Sequence, residues 1–328
     1  MMSVKASAPG KVIIAGEYAV LDGAPAICMA VNRRAHVLIL QNSAGEFVIS
    51  APGLSEEPRR YASITECEDD LPLVAAVWQQ LPTDSVEPMS IELDSSEFVS
   101  AAGAKIGVGS SAAVAVALTA ALSHFAGGDG ASSRDVRELA TAAHQKFQGG
   151  SGSGADIACC FAGGVIEYRM VEAPSYEMAW PAGLHYELLW SGQSSDTGAQ
   201  LEKLAGAKSH HSRAELVTAA FEMAAVWREG QLEKIVHALQ DYTTALQHFD
   251  AGHQLGIFAA GHAELAGRAK LTDVVYKPCG AGGGDLGIAV SADKSALAAF
   301  VSAAQAQNFE PIDLTIDATG VIVEGSQQ

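Results

Sequence analysis

The sequence predicts an α+β protein in two lobes, and three observations lead there. Strand-like segments rich in β-branched and aliphatic residues dominate the first stretch of chain, up to about residue 190. A block of Ala, Leu, Glu and His with helical periodicity follows, to about residue 270. The last sixty or so residues then alternate between strand and helix patterns. In order, strands are expected at 12–15, 26–40, 46–50 and 90–93, each bounded by Gly, Pro, Asp or Ser. Residues 71–81 carry apolar side chains at helical spacing, and 110–125 is helical and nearly all apolar, the pattern of a helix buried on most sides. A helix over 133–147 opens with Asp135 and Glu138, acids that the macrodipole favours in first turns. The glycines of 149–154 break it. A short helical turn from Asp156 and strands at 165–168 and 185–190 come next, the last ending in the polar segment 191–197. Three or four helices are expected up to residue 270, then a Gly-rich turn at 280–284, a strand at 286–290, a helix at 294–306 and strands at 312–316 and 321–323. The change of character near residue 190 divides the chain into domains over 1–190 and 191–328.

Composition narrows the function. Of 328 residues, 48% are hydrophobic and 18% charged, which supports a packed core and excludes intrinsic disorder. Lys and Arg total 20 against 38 Asp and Glu, a net charge of −18. Such a field repels nucleic acid and anionic membrane, so neither is an expected partner, and an anionic substrate needs locally placed cations. The five cysteines, Cys28, Cys67, Cys159, Cys160 and Cys279, are odd in number and lack CxxC spacing. That fits neither a disulfide framework nor a zinc site and points to a reduced, cytoplasmic setting. No signal-peptide pattern opens the chain, and no apolar run approaches the roughly 18 residues of a membrane span. The His210–His211 pair lies in a polar stretch and reads as loop.

Three glycine-rich segments remain to be explained. Lys105, Ile106, Gly107, Val108, Gly109, Ser110, Ser111, Ala112 and Ala113 lead into the buried helix. Glycines there permit a sharp turn, and the unpaired N–H groups at the helix start suit a phosphate chain; a plain Ser N-cap is the competing reading. The segment is neither a P-loop nor a dinucleotide fingerprint. The second runs from Ala8 through Lys11, Gly16, Glu17 and Tyr18 to Gly23, with polar groups at both ends of an apolar strand. The third, Lys277 to Asp285, holds Gly280, Ala281, Gly282, Gly283 and Gly284, more small residues than a surface hairpin needs.

In order and in residue detail these segments resemble the three motifs of the GHMP kinases, the galactokinase, homoserine, mevalonate and phosphomevalonate kinase superfamily. The resemblance spans nearly the whole chain and looks closest to the phosphomevalonate kinases. Gly16-Glu17-Tyr18-Ala19-Val20 has Tyr where mevalonate kinases usually place His. The stretch from Gln148 to Ala158 is similar to that group's Gln-Gly-x-Gly-Ser-Gly-x-Asp-Val-Ala segment. Residues 190–197 look like its Trp-Thr-Gly-x-x-x-Ser-Thr stretch, with Asp196 where a small residue or Ser is usual. Lys277 through Asp285 is similar to its Lys-Pro-Ser-Gly-Ala-Gly-Gly-Gly-Asp ending, with Cys279 for Ser.

The resemblance implies a ribosomal-protein-S5-like N-terminal lobe, a ferredoxin-like C-terminal lobe and a cleft between them. It implies ATP-dependent phosphorylation of 5-phosphomevalonate to 5-diphosphomevalonate, with Mg²⁺, in a monomer or homodimer. Mevalonate or another small hydroxy acid is the alternative acceptor, and a non-catalytic ligand sensor of the same fold is the alternative from another class. Lys105, Gly107, Val108, Gly109, Ser110, Ser111 and Ala112 are expected to hold ATP, with Ser110 toward the metal. Lys11 and Asp156 are the expected catalytic pair, although an N-cap role also suits Asp156 at a helix start. Acceptor binding is assigned to Lys11, Glu17, Tyr18, Lys146, Ser153, Ser194, Ser195, Thr197, Gly282 and Gly283. Lys105, Lys146 and Lys277 each adjoin a motif and offer a local positive site in an acidic chain. Mevalonate kinases carry a metal-binding Glu upstream of the catalytic Asp; counting back without gaps puts Gln145 at that place.

Overall fold

Two long strands, β1 (Met2–Ala15) and β2 (Ala26–Gln41), form the spine of the larger sheet in the computed structural model. The structure describes residues 2–43, 45–52, 57–81, 87–100, 103–127, 133–150, 152–170, 175–195, 197–206 and 211–327. Short strands β3 (Phe47–Ser50) and β4 (Arg59–Tyr61) and helix α1 (Pro72–Trp78) follow, and β5 (Met89–Asp94) pairs with the second half of β2 and, in parallel, with β3. Helix α2 (Ser110–Gly127) packs on β1 and β2 and is walled by α1, α3 (Ser133–Phe147) and α4 (Ala155–Ala162). Its uniform apolarity is thereby explained: it has neighbours on nearly every side. Strand β6 (Val165–Tyr168) pairs with the first half of β2 and carries β7 (Tyr176–Met178) on its other edge.

The second half of β1 is buried on both faces. Val12 and Ile14 face the main core, while Ile13 joins a second apolar cluster with Cys28, Ala155, Ala158 and Ile166. A strand covered twice reads as an unbroken apolar run, which is why 12–15 shows no alternation. The register of β1 on β2 shifts between Pro9 and Gly10. A Cβ at Gly10 would lie 2.6 Å from the Val108 carbonyl oxygen, so this glycine lets the loop before α2 rest on the strand.

The second sheet begins with β8 (His185–Trp190). Four helices lead on: α5 (Thr197–Gly206), α6 (Ser212–Glu229), α7 (Leu232–His253) and α8 (His262–Ala269). Strands β9 (Val275–Pro278) and β10 (Leu286–Ser291), helix α9 (Lys294–Gln305) and β11 (Glu310–Ile312) complete it, in the antiparallel order β11-β8-β10-β9. The final strand, β12 (Ile322–Gln327), returns to the first sheet and pairs with residues 2–7 of β1. Strand 185–190, grouped with the first lobe by position along the chain, thus hydrogen-bonds in the second sheet. The strand expected at 312–316 is shorter and earlier, with Ile316 making only an isolated bridge to Val31. Among the described residues no helix is long and apolar enough to cross a membrane.

Ionic contacts, one of them fully buried, fasten the helical block and second sheet to the first. Lys277 Nζ donates to Glu17 Oε1, with both side chains essentially out of water at 0% and 1% exposure. The Tyr242 hydroxyl donates to Glu17 Oε2 at 2.8 Å and accepts from the Gly16 N–H at 2.8 Å. From α6, Arg228 and, from the strand's own end, Arg169 enclose the Glu167 carboxylate at 2.7 and 3.0 Å. Removing one member of a buried pair costs far more than replacing both. Lys277→Met should therefore cost about 3–5 kcal/mol in urea unfolding, and adding Glu17→Leu should recover a large part of that loss. A double variant no more stable than Lys277→Met would show that the pair does not carry this contact.

Candidate active site

Lys11 is where the first two glycine-rich segments and Asp156 meet. Its side chain is buried in β1, its N–H donates to the Val108 carbonyl at 2.9 Å, and Nζ lies 3.0 Å from Asp156 Oδ1. Gly109 makes room for the lysine stem. A Cβ there would sit 2.7 Å from Lys11 Cε, and the backbone holds φ +76°, a region that favours glycine. Burial pulls the ammonium pKa down, but the charge and hydrogen bond of Asp156 outweigh it, so the shift is upward and Lys11 stays charged.

At both helix starts the cap position falls on a glycine and not on the polar residue that the sequence offers. Helix α2 begins at Ser110, so the position before it belongs to Gly109 and neither serine is the cap. Gly154, with φ +82° and no side chain, precedes α4; Asp156 therefore lies in the first turn, near the positive end of the dipole.

Two cavities share Lys11, Gln148 and Asp156 in their linings. The larger, about 620 Å³, adds Lys105, Gly107, Val108, Gly109, Ser110 and Ser111, with Phe98, Phe147, Ser194, Ser195, Gly198 and Asp285. The smaller, about 90 Å³, adds Glu17, Tyr18, His144, Gly152, Ser153, Gly154, Gly280 and Ala281 among others. Ser110 and Asp156 thus face one space. Among the described residues no group of three His, Cys, Asp or Glu side chains is placed to hold a metal ion. One hydroxyl and one carboxylate fit Mg²⁺, which keeps few protein ligands and fills its shell with phosphate oxygens and water.

Not every expected residue reaches the cavities. Ala112 is buried in the first turn of α2. Glu17 borders the smaller cavity, but its carboxylate is held by Lys277 and Tyr242; Lys277 is consumed by the same contact. Tyr18 lines the cavity, and its hydroxyl donates to the Ala281 carbonyl at 2.6 Å. Lys146 is exposed, donates to Gln79 and lines neither cavity. Ser194 and Ser195 border the larger cavity, not the smaller. Gly282 and Gly283 pack inward, where a Cβ would lie 2.5 Å from Ile257 and 2.7 Å from Gln200, so Gly280 and Ala281 reach the cavity instead. Thr197 opens α5, its side chain is outside the described residues, and Asp196 lies outside them altogether.

Several residues at or behind the site have no role assigned to them from the sequence. His144, not Gln145, faces the loop serines: its Nε2 lies 3.0 Å from Ser111 Oγ, while Gln145 donates to the Gly152 carbonyl at 3.3 Å. Gln148, the residue after α3, keeps the i, i+4 spacing from His144, to whose carbonyl its N–H donates at 3.0 Å, so both line the cavity, which is the clue that helical periodicity offers. Burial lowers the His144 pKa, Asp156 opposes that and Lys11 adds to it, so the ring is held neutral. Asp250 accepts from the N–H groups of Gly256, Ile257 and Phe258 at 2.7, 2.9 and 3.0 Å. Ile257 in turn accepts from the Gly283 N–H at 2.8 Å, which seats the third glycine segment.

Residues 73–164 match the family model of the GHMP kinases N terminal domain. The chain is 28% identical over 339 residues to a phosphomevalonate kinase of Streptomyces sp. (strain CL190), covering 86% of this chain and 88% of that one. It is 34% identical over 178 residues to a mevalonate kinase of Aeropyrum pernix, about half of each chain at 52% and 52%. The solved phosphomevalonate kinase of Streptococcus pneumoniae, in complex with phosphomevalonate and AMPPNP, superposes with a TM-score of 0.79 over 96% of this chain and all of that one, at 18% identity, a likeness of fold. The fold, the site and these matches define an ATP-dependent small-molecule kinase. Residues 73–164 carry the GHMP kinases N terminal domain, and the curated relatives of the chain are phosphomevalonate and mevalonate kinases.

The third segment is also tied down from behind. His262 is fully buried; its Nε2 lies 3.1 Å from the Gly284 carbonyl and must donate, so Nδ1 accepts the Tyr276 hydroxyl at 2.7 Å. Burial depresses its pKa to about 4, the Gly284 carbonyl opposes this and Lys277 reinforces it. Between an ordinary pKa of about 6.5 and that value, the unfolded chain binds a proton that the folded chain refuses. Stability should therefore fall as pH drops through this window, by up to roughly 3 kcal/mol from this group. His262→Gln should flatten the change in urea midpoint between neutral and acid pH; an unchanged slope would assign the acid sensitivity elsewhere.

Proposed function

We propose that the chain transfers the γ-phosphoryl group of ATP to 5-phosphomevalonate, giving 5-diphosphomevalonate and ADP on the mevalonate route to isoprenoids. The observation that carries the reading is the sharing of Lys11 and Asp156 by both cavities, so that a group moving from one to the other crosses that pair. ATP phosphates lie in the larger cavity along the N–H groups of residues 107–111, and the acceptor lies in the smaller. Gly152 and Gly154, at φ +118° and +82°, turn the backbone around the start of α4, a concave arrangement that suits an anionic acceptor group.

An oxygen of the acceptor phosphate attacks the γ-phosphorus, and the bond to the bridging oxygen of ADP breaks. A phosphate monoester is largely dianionic near neutral pH, so damping of charge repulsion matters more than proton removal. Lys11 supplies that cation at the crossing point. Asp156 holds Lys11 in place and takes the proton of a monoanionic acceptor. Ser110 and Asp156 would hold Mg²⁺, which screens the phosphate charges when bound. Tyr18, Ser153 and Gln148 surround the rest of the acceptor.

A mevalonate acceptor is favoured by one specific observation, the 34% identity to a mevalonate kinase over half of the chain. A coupled ADP-release assay against mevalonate, 5-phosphomevalonate and homoserine separates the readings. The phosphorylated acceptor should lead mevalonate in kcat/KM by at least about 10²-fold, roughly 2.7 kcal/mol of differential transition-state binding. Equal or better turnover of mevalonate would transfer the assignment to that acceptor. Asp156→Asn preserves shape and should lower kcat at least about 10²-fold with ATP binding retained; near-normal turnover would remove Asp156 from the chemistry.

A further inference from the structure

We propose that Asp285 is a positioning residue for the nucleotide: its side chain clasps the 193–195 segment onto the loop at 105–109 and so sets the width of the larger cavity. The inference rests on the reading of that loop as the site of the ATP phosphates.

Asp285 closes the third glycine segment and leads into β10, yet it is not a glycine. Its φ is +54°, a conformation that L side chains adopt at a cost and that Gly284, its neighbour, could adopt freely. The side chain is used. Oδ1 accepts from the Ser195 N–H at 3.2 Å, the Asp285 N–H donates to the Gln193 carbonyl at 2.6 Å, and the Asp285 carbonyl accepts from the Ser191 N–H at 2.9 Å. The segment after β8 is thereby laced to the head of β10.

The same side chain reaches the loop before α2. A Cβ at Gly107 would lie 2.4 Å from Asp285 Cβ and 2.5 Å from its Cγ, so only a glycine at φ +82° lets the two approach. A second, independent contact lies alongside, where Ser194 Oγ donates to the Lys105 carbonyl at 3.2 Å. Parts of the chain on two different sheets therefore meet at the rim of one cavity, and Asp285 is the side chain common to both.

Direct contact with ATP is not its use. A carboxylate repels a polyphosphate, and Asp285 shares the cavity with Lys11, Lys105 and Asp156. Burial raises its pKa, while the Ser195 N–H and the charges of Lys11 and Lys105 pull the other way. Its contribution is geometric: it fixes where residues 107–109 sit relative to Ser194 and Ser195.

Two substitutions separate this from a loop residue of no consequence. Asp285→Asn keeps an oxygen for Ser195 and tolerates positive φ, whereas Asp285→Gly keeps the backbone and removes the clasp. AMPPNP with Mg²⁺ is titrated calorimetrically into each full-length protein, with thermal unfolding and the acceptor KM measured alongside. The expected result is a Kd raised at least about tenfold in Asp285→Gly, with an equal or higher Tm, and a Kd within about threefold of the parent in Asp285→Asn. The acceptor KM should move less than about twofold in either. Equal loss in both variants, or a loss that tracks a lower Tm, overturns the clasp. Gly109→Val, titrated in parallel, tests the underlying reading. Binding lost there but unchanged in Asp285→Gly overturns the clasp alone, and binding that survives both overturns the loop assignment with it.

Discussion

A carboxylate and an ammonium that have both left water fix the relation between the two sheets. Glu17 follows the end of β1 and Lys277 sits within β9, and neither tolerates burial without the other. Tyr242 adds a hydroxyl to the carboxylate, and the Lys277 ammonium lies 5.9 Å from the centre of its ring. Once that contact forms, the third glycine segment has one place to go. Tyr18 then reaches the Ala281 carbonyl, and the smaller cavity acquires its far wall. Lys11 rides on the same strand as this anchor, so its distance from the third segment is set by β1 rather than by a mobile loop.

The electrostatics follow one plan. The chain as a whole carries −18, a field that opposes an anionic nucleotide and an anionic acceptor alike. Among the described residues lining the two cavities, Lys11 and Lys105 are the ammonium groups, and Lys11 belongs to both. On the proposed function, a cation concentrated where two anions approach each other would lower the barrier locally while the rest of the surface stays acidic. Burial would ordinarily discharge such a lysine; the carboxylate of Asp156 prevents this.

How much of this was legible in the sequence depends on the range of the contact. Features set by near neighbours read well: the all-apolar helix at 110–125, Asp135 in the first turn of the helix at 133–147, and the glycines at 107 and 109 where the backbone must take positive φ. Features set across the chain did not. Lys277 looked like a motif-flanking cation because its partner is 260 residues away. Lys146 also looked useful because it adjoins a motif, but helix geometry turns it from the face that carries His144 and Gln148. Gly280 and Ala281 were indistinguishable from Gly282 and Gly283 until Ile257 and Gln200 occupied one side of the run. A glycine count shows that something approaches closely, not from which direction.

The return of β12 to the first sheet has a consequence for the order in which the protein matures. Residues 322–327 pair with residues 2–7, the longest sequence separation of any ladder in the structure. During synthesis β1 can pair with β2 early, yet its outer edge stays open until residues 322–327 have been made. Arg34 of β2 meanwhile waits for Asp317 and for the carbonyls of Thr319 and Gly320, which it binds at 2.6, 3.0 and 2.7 Å. The strand that carries Lys11 is thus made long before the strand that closes its edge, and a nascent chain presents that bare edge to chaperones, or to its neighbours, until β12 has emerged.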